Sequence, residues 1–262
     1  MESIVHVMRT RNVDRDAPRS RRRRWLVVMT IAVGVPAIGL AAFIVFVRVA
    51  TYPPDPVALE AALSSSTVNV RSDRRYWLIE PVARPAGDSL EPLIYYPGGL
   101  VAPESYLRTL VLLSERTGRT VYLVRAPFNA AIFDVDAAQR IIDRYGLKAP
   151  IVGGHSLGGI SACRFVSGNP EVVSSLLLLG SYCDRDLTTS GLRVISLMGM
   201  EDRIINRDNY RAARANLPAD AIIADIAGLN HSAFGEYGLQ RGDGSSTTST
   251  DRVVELIAGG LR

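Results

Sequence analysis

Twenty-three consecutive residues, 25–47, carry no charged side chain (WLVVMTIAVGVPAIGLAAFIVFV). As a helix they reach about 34 Å, enough to cross the ~30 Å hydrocarbon layer of a bilayer with some tilt. A run with no polar face has no place on the surface of a water-soluble domain. In lipid, only helices and closed barrels satisfy every backbone polar group, so one isolated run must be a helix. Pro36 falls inside it, which a spanning helix tolerates. The run therefore divides the chain, and whatever folds in water follows it.

Arg21 to Arg24 directly precede the run. Positive charge stays on the cytoplasmic side, so residues 49–262 are expected outside the cytoplasm. A cleaved signal peptide is the competing reading. Its apolar region is normally ~7–15 residues and ends in a small-x-small site. This run is longer, and Arg48-Val49-Ala50 offers no such site. The expected plan is a cytoplasmic arginine-rich tail (1–24), a transmembrane signal anchor (25–47), a linker (48–66) and a catalytic domain (67–262). The protein is thus expected at the cell membrane, single-pass, with its N-terminus cytoplasmic.

The net charge of +4 and the pI near 9.3 belong to the tail. Residues 1–48 hold nine arginines against Glu2, Asp14 and Asp16, a local +6, so residues 49–262 carry −2. The folded part is mildly acidic, and nothing in its charge points to nucleic acid.

Tyr52-Pro53-Pro54-Asp55-Pro56 reads as a stiff spacer, and 56–63 as a short helix. Beyond it, short apolar runs alternate with amphipathic ones. Strands are expected over 67–70, 76–80, 92–96, 120–124, 150–153, 174–179, 192–197 and 221–226. Helices are expected over 104–117, 132–145, 157–167, 206–215 and 250–258. Several strands are apolar throughout, as strands covered on both faces must be. The alternation implies an α/β fold with a mostly parallel twisted sheet and helices on both faces.

Gly154-His155-Ser156-Leu157-Gly158 sits between the strand at 150–153 and the helix at 157–167. Gly-x-Ser-x-Gly alone is common, but a serine on a strand-to-helix turn is what the motif needs for catalysis. Gly153, Gly154, Gly158 and Gly159 let such a tight turn form. The helix start also aims backbone N–H groups at the serine. The competing reading is a glycine-rich helix start with an idle serine.

Gly-Gly-His-Ser-Leu-Gly-Gly resembles the nucleophile elbow of the α/β-hydrolase superfamily, over about residues 67–262. The likeness is greatest to compact, lid-poor members. These also carry a Pro-Gly-Gly-Leu-Val loop after an early strand, as at 97–101. They have an Asn-His-x-x-Phe-Gly stretch as well, as at 230–235. The stretch 242–250 resembles the loop that follows the histidine in such enzymes.

A serine needs a general base, most often histidine. The chain has three. His6 precedes the membrane run, and His155 adjoins the serine on a turn where neighbouring side chains diverge. His231 remains, after the last strand, where the resemblance places the catalytic histidine. The acid should lie between Ser156 and His231 in the chain. Asp202, after the strand at 192–197, is the first candidate; Asp184, Asp186 and Glu201 are alternatives. For the oxyanion hole the resemblance implies the Leu157 N–H and one from the Pro97-Gly98-Gly99-Leu100 loop, Gly99 ahead of Leu100.

Cys163 and Cys183 are expected near one end of the sheet. An exported domain permits a disulfide between them, and two buried thiols are the alternative. Beyond the membrane run stand two histidines, His155 and His231, the second already taken as the base, and no Cys-x-x-Cys, so no metal cluster is expected and no cofactor is implied. The expected activity is hydrolysis of a carboxylic ester, from a small-molecule or lipid-like substrate, through an acyl-enzyme on Ser156. An acyltransferase with the same triad, or a non-catalytic envelope binding protein on the same fold, would carry the same residues.

Overall fold

The computed structural model describes residues 17–83 and 90–262. Most of the expected tail, residues 1–16, lies outside them. The chain forms two compact units, 1–49 and 50–262.

The described residues of the first unit form one helix, α1 (Ala17–Ala50), with Pro36 inside it. Its stretch Val28–Ala50 has a mean hydropathy of 2.4 and almost no side chain covered. By length and composition it can cross a membrane; an export signal has the same character.

The second unit holds one eight-stranded sheet in the order β1-β2-β4-β3-β5-β6-β7-β8. The strands are β1 (Val68–Ser72), β2 (Tyr76–Pro81), β3 (Leu93–Tyr96), β4 (Val121–Val124), β5 (Ile151–His155), β6 (Ser175–Leu179), β7 (Arg193–Gly199) and β8 (Ile222–Ile226). All eight match segments expected from the apolar runs. β1 and β2 form an antiparallel pair, and β2 runs antiparallel to β4; β3 to β8 are parallel. Six parallel strands need crossovers; helices supply four of them, and β6 joins β7 through a stretch without one.

Helices α2 (Pro56–Leu63), α3 (Leu107–Thr117) and α7 (Thr250–Gly260) cover one face. Helices α4 (Ala137–Tyr145) and α5 (Leu157–Gly168) cover the other, while α6 (Arg207–Ala213) connects β7 to β8. The side-chain period of two divides each strand between two cores. Leu93 and Tyr95 of β3 face the first core; Ile94 and Tyr96 face the second. Leu177 and Leu179 of β6 alternate in the same way with Leu176 and Leu178. This double burial is why the central strands read as unbroken apolar runs.

Two helices start later than their periodicity predicts. The stretch from Glu104 opens as a 3-10 turn (Pro103–Tyr106) before α3, and the stretch from Ile132 follows a 3-10 turn (Ala131–Phe133) before α4. Buried Tyr96 explains the second case. Its hydroxyl donates to the Val135 carbonyl and accepts the Ala138 N–H at 2.8 Å. That hydroxyl satisfies one of the orphan donors of the α4 N-terminus and fixes where the helix begins.

The part of the expected linker (48–66) from Thr51 onward makes contacts within the domain. Tyr52 N–H donates to the Leu100 carbonyl at 2.8 Å, and its carbonyl accepts the Ala102 N–H at 3.0 Å. Asp55 caps α2 through the Ala58 N–H, as an Asp before Pro at a helix start should. Proline at 53, 54 and 56 stiffens this stretch, yet the backbone groups at Tyr52 and Asp55 still reach the domain.

Candidate active site

The site lies at the C-terminal ends of the parallel strands, beside the point where the order passes from β4-β3 to β5. That is where open α/β sheets hold ligands. Ser156 occupies the turn between β5 and α5 with φ 52° and ψ −124°. A left-handed φ is costly for a side chain with a Cβ and persists only where the surroundings impose it. Ser156 N–H donates to the Leu179 carbonyl of β6 at 3.0 Å, and Ser181 Oγ donates to the Ser156 carbonyl at 2.7 Å. The end of β3 presses on the turn from the other side. A Cβ at Gly158 would lie 2.2 Å from the Tyr96 carbonyl oxygen, so only glycine allows the approach.

His231 and Asp202 come together beside this elbow. His231 Nδ1 lies 2.7 Å from Asp202 Oδ2, with side-chain exposures of 1% and 0%. Asp202 Oδ1 accepts the N–H groups of Ile204 and Ile205, both at 2.9 Å. One carboxylate oxygen is thus fixed by backbone and the other faces the imidazole. The three alternatives lie elsewhere. Asp184 is bound by Arg164 at 2.6 Å, Asp186 caps Thr188 on the surface, and Glu201 is exposed.

His155 takes a different place from Ser156. It is fully buried, with Nδ1 2.8 Å from the Tyr106 hydroxyl. Its ring lies 4.4 Å from that of His231, centroid to centroid. Burial pushes the His155 imidazole well below its ordinary pKa, and the nearby His231 adds to the effect. Burial likewise raises the Tyr106 phenol well above its usual value. Both groups are therefore neutral at pH 7. The Gly98 N–H already donates to the phenol oxygen at 3.0 Å, so we assign the phenol proton to His155 Nδ1. Gly180, after β6, has φ 48°, and a Cβ there would lie 3.2 Å from His231 Nδ1 and 3.3 Å from His155 Nε2. The two histidines pack closely against this bare backbone, and a side chain there would crowd both rings.

The loop after β3 lies across the elbow. A Cβ at Gly98 would come within 3.6 Å of Ser156 Cβ, and one at Gly99 within 2.9 Å of Leu157 Cδ2. The Gly98 N–H is taken by Tyr106, and the Leu100 N–H donates to the Asn129 carbonyl at 2.7 Å. Among the described hydrogen bonds, Gly99 N–H is the loop donor left free next to Leu157. Leu157 is the first residue of α5, and its N–H has no partner among the described hydrogen bonds.

Cys163 and Cys183 are disulfide-bonded, tying α5 to the loop after β6. Three contributors were given no role from the sequence. Asp243 accepts the N–H groups of His231 (3.3 Å), Ser232 (2.8 Å) and Gly244 (2.8 Å) and the Ser232 hydroxyl (2.7 Å). Partial burial raises its pKa, but these donors outweigh that and hold it below the usual carboxylate range. Asn230 ties the same loop, donating to the Gly244 carbonyl and accepting the Ala233 N–H. Tyr106 is the third. The available signals were Asn230 within the Asn-His-x-x-Phe-Gly stretch and Asp243 within the post-histidine-like loop 242–250; Tyr106 lies at a helix start and left none.

A profile of the alpha/beta hydrolase family matches residues 92–255, and the chain belongs to that family. Among solved structures it is similar to an esterase from Pyrobaculum calidifontis, at 15% identity and a TM-score of 0.56, covering 78% of this chain and 88% of that one. It is also similar to the carboxylesterase CesB from Bacillus subtilis (13%, TM-score 0.51, covering 69% and 91%). A third is the monoacylglycerol lipase of Paleococcus ferrophilus (14%, TM-score 0.52, covering 65% and 95%). At such identities the likeness is one of fold. No curated protein matches the chain.

Proposed function

We propose that this protein is a serine hydrolase of carboxylic esters, anchored in the membrane by 25–47, with its catalytic domain outside the cytoplasm. The observation that carries the chemistry is the buried 2.7 Å pair of His231 and Asp202 beside the strained Ser156 turn. His231 takes the Ser156 proton on Nε2 as Oγ attacks the ester carbonyl. Asp202 holds the proton on Nδ1 and stabilises the imidazolium without accepting that proton. The N–H groups of Leu157 and Gly99 receive the developing oxyanion. His231 then protonates the departing alcohol, leaving an ester on Ser156. Water, deprotonated by His231, attacks that ester, and the acid leaves as Ser156 recovers its proton.

The similar proteins named as esterases and a lipase support the choice of ester over amide. The arginines at 21–24 support the orientation. The disulfide fits an oxidising compartment. The test is turnover of a panel of p-nitrophenyl esters of increasing chain length, with and without an added alcohol. Acid release that an alcohol does not divert identifies a hydrolase; transfer to the alcohol in preference to water would make the enzyme an acyltransferase. For the topology, a C-terminal phosphatase fusion should be active only outside the cytoplasm, and cytoplasmic activity would reverse the orientation.

A further inference from the structure

Five arginines gather at the same edge of the sheet as the candidate site: Arg74 and Arg75 in the β1–β2 turn, Arg125 after β4, and Arg140 and Arg144 on α4. They line two adjoining hollows of about 430 and 950 Å³ that share Arg74, Arg75 and Arg140. Three acids answer them. Arg125 pairs with Glu104 at 3.2 Å, Arg144 with Asp73 at 3.4 Å, and Arg140 with Asp134. Arg74 and Arg75 have no carboxylate partner among the described residues. The local balance is +2 on a domain whose sum over 49–262 is −2. Such a reversal is not what a surface of mixed, mutually neutralising charge produces.

The groove leads toward the elbow. Asn129 forms part of its wall, and the Asn129 carbonyl accepts the Leu100 N–H, one residue from Gly99. Phe128 and Asn129 both have left-handed backbones, with φ 57° and 51°. Strain of this kind in consecutive non-glycine residues collects where a chain is shaped for a ligand. Phe133, also on the wall, is 66% exposed and meets Phe128 edge-on at 6.2 Å. At the far end the Arg125 N–H donates to the Arg75 carbonyl at 2.7 Å, level with the end of β4. Three strand spacings separate β2 from β5, so the arginines stand about 14 Å to the side of the elbow.

We propose that this groove is a subsite for an anionic group, a phosphate or phosphonate, carried by the ester substrate some 10–15 Å from the scissile carbonyl. Arg74 and Arg75 hold the anion, with Arg140 beside them, and the aromatic pair flanks the chain between anion and ester. A guanidinium fork suits a phosphate's paired oxygens, and two forks free of carboxylates are available without breaking an existing pair. The proposal rests on the ester-hydrolase reading for its location relative to Ser156, but anion binding itself does not depend on turnover.

The experiment therefore has a binding arm and a turnover arm, both on the full-length chain in detergent. Octylphosphonate binding is measured by calorimetry with the Ser156→Ala variant, with and without Arg74→Gln/Arg75→Gln. The double change leaves the aliphatic stems in place at exposed positions, and its fold is checked by thermal melting. The dissociation constant is expected to rise at least tenfold. In the turnover arm, the p-nitrophenyl ester of 8-phosphono-octanoic acid is compared with that of octanoic acid. The ratio of their kcat/KM values should fall at least tenfold in the double variant, mainly through KM. Release of 8-phosphono-octanoic acid from its glyceride held in phosphatidylcholine vesicles, lowered by the same variant, assigns the anion to a lipid; an effect confined to the soluble ester assigns it to a soluble substrate. Octylphosphonate binding that ignores the double change overturns the proposal. Turnover of neither ester with arginine-dependent binding intact would instead defeat the hydrolase reading and leave the anion site standing.

Discussion

Replacing Asp202 with asparagine separates two ways in which the buried acid matters, and the geometry says which one dominates. The carboxylate uses Oδ1 for two backbone donors, Ile204 and Ile205, and Oδ2 for His231 Nδ1. An asparagine has one oxygen and one NH₂ for these two jobs. If its oxygen stays on the imidazole, the NH₂ faces two N–H groups and leaves both unsatisfied in a part-buried place. Each such loss costs ~1–3 kcal/mol at full burial, so this orientation costs at most about 2–6 kcal/mol. If the oxygen stays on the backbone, the turn survives, but the NH₂ now donates to His231 Nδ1. The imidazole must then carry its proton on Nε2, where it can no longer accept one from Ser156. The second orientation is cheaper for the fold, so it should prevail.

The expected Asp202→Asn protein is folded, melts within a few degrees of the wild type, and loses about 10⁴-fold in kcat/KM, or roughly 5.5 kcal/mol of transition-state stabilisation. Initial rates on a short-chain p-nitrophenyl ester, measured beside a thermal melt, give both readings. Asp184→Asn serves as the control, since Asp184 is engaged by Arg164. A loss below tenfold for Asp202→Asn, or an equal loss for Asp184→Asn, would refute the assignment of the acid.

Further outcomes follow from other contacts. Changing both Cys163 and Cys183 to alanine removes a cross-link with a sequence separation of 20. On the loop-entropy relation this lowers unfolding free energy by about 3 kcal/mol, read by urea titration; a loss under 1 kcal/mol would contradict it. The Asp243 carboxyl has a depressed folded-state pKa, so its stabilisation is full above the unfolded value near 3.9 and fades as pH falls through the folded one. Asp243→Asn should then destabilise by about 1–2 kcal/mol at pH 7, with the gap closing in strong acid; a gap constant down to pH 2 would show that charge is not involved. Deleting 1–49 should preserve ester turnover, whereas deleting 1–55 removes the Tyr52 bonds to Leu100 and Ala102 and should lower kcat/KM at least tenfold. Equal activity of the two truncations would mean that Tyr52 does not support the loop.

Much of the fold was legible because its signals are local. Runs such as 176–179, four leucines, are apolar throughout since two helical layers cover them, and a run of that kind needs no tertiary knowledge to recognise. The elbow was legible for the same reason, a strand, four glycines and a helix in one short window. His231 emerged by elimination among three histidines together with the resemblance carried by 230–235. The start of α4 was not legible, because it depends on Tyr96, a side chain 42 residues away that caps Ala138. Asp243 and Tyr106 were hidden likewise: their importance lies in hydrogen bonds across 12 and 49 residues, and neither residue type is unusual where it stands. Among the acids between Ser156 and His231, sequence position alone left four candidates. Only the distance to His231 Nδ1 separates Asp202 from the rest.

The claim on which the rest depends is that Ser156 is a nucleophile activated by His231. A fluorescent fluorophosphonate reacts covalently with such a serine and with little else. The folded wild-type protein should be labelled stoichiometrically, Ser156→Ala not at all, and His231→Ala at a rate reduced by orders of magnitude. Absence of label on folded wild-type protein, or label that persists in Ser156→Ala, would contradict the account.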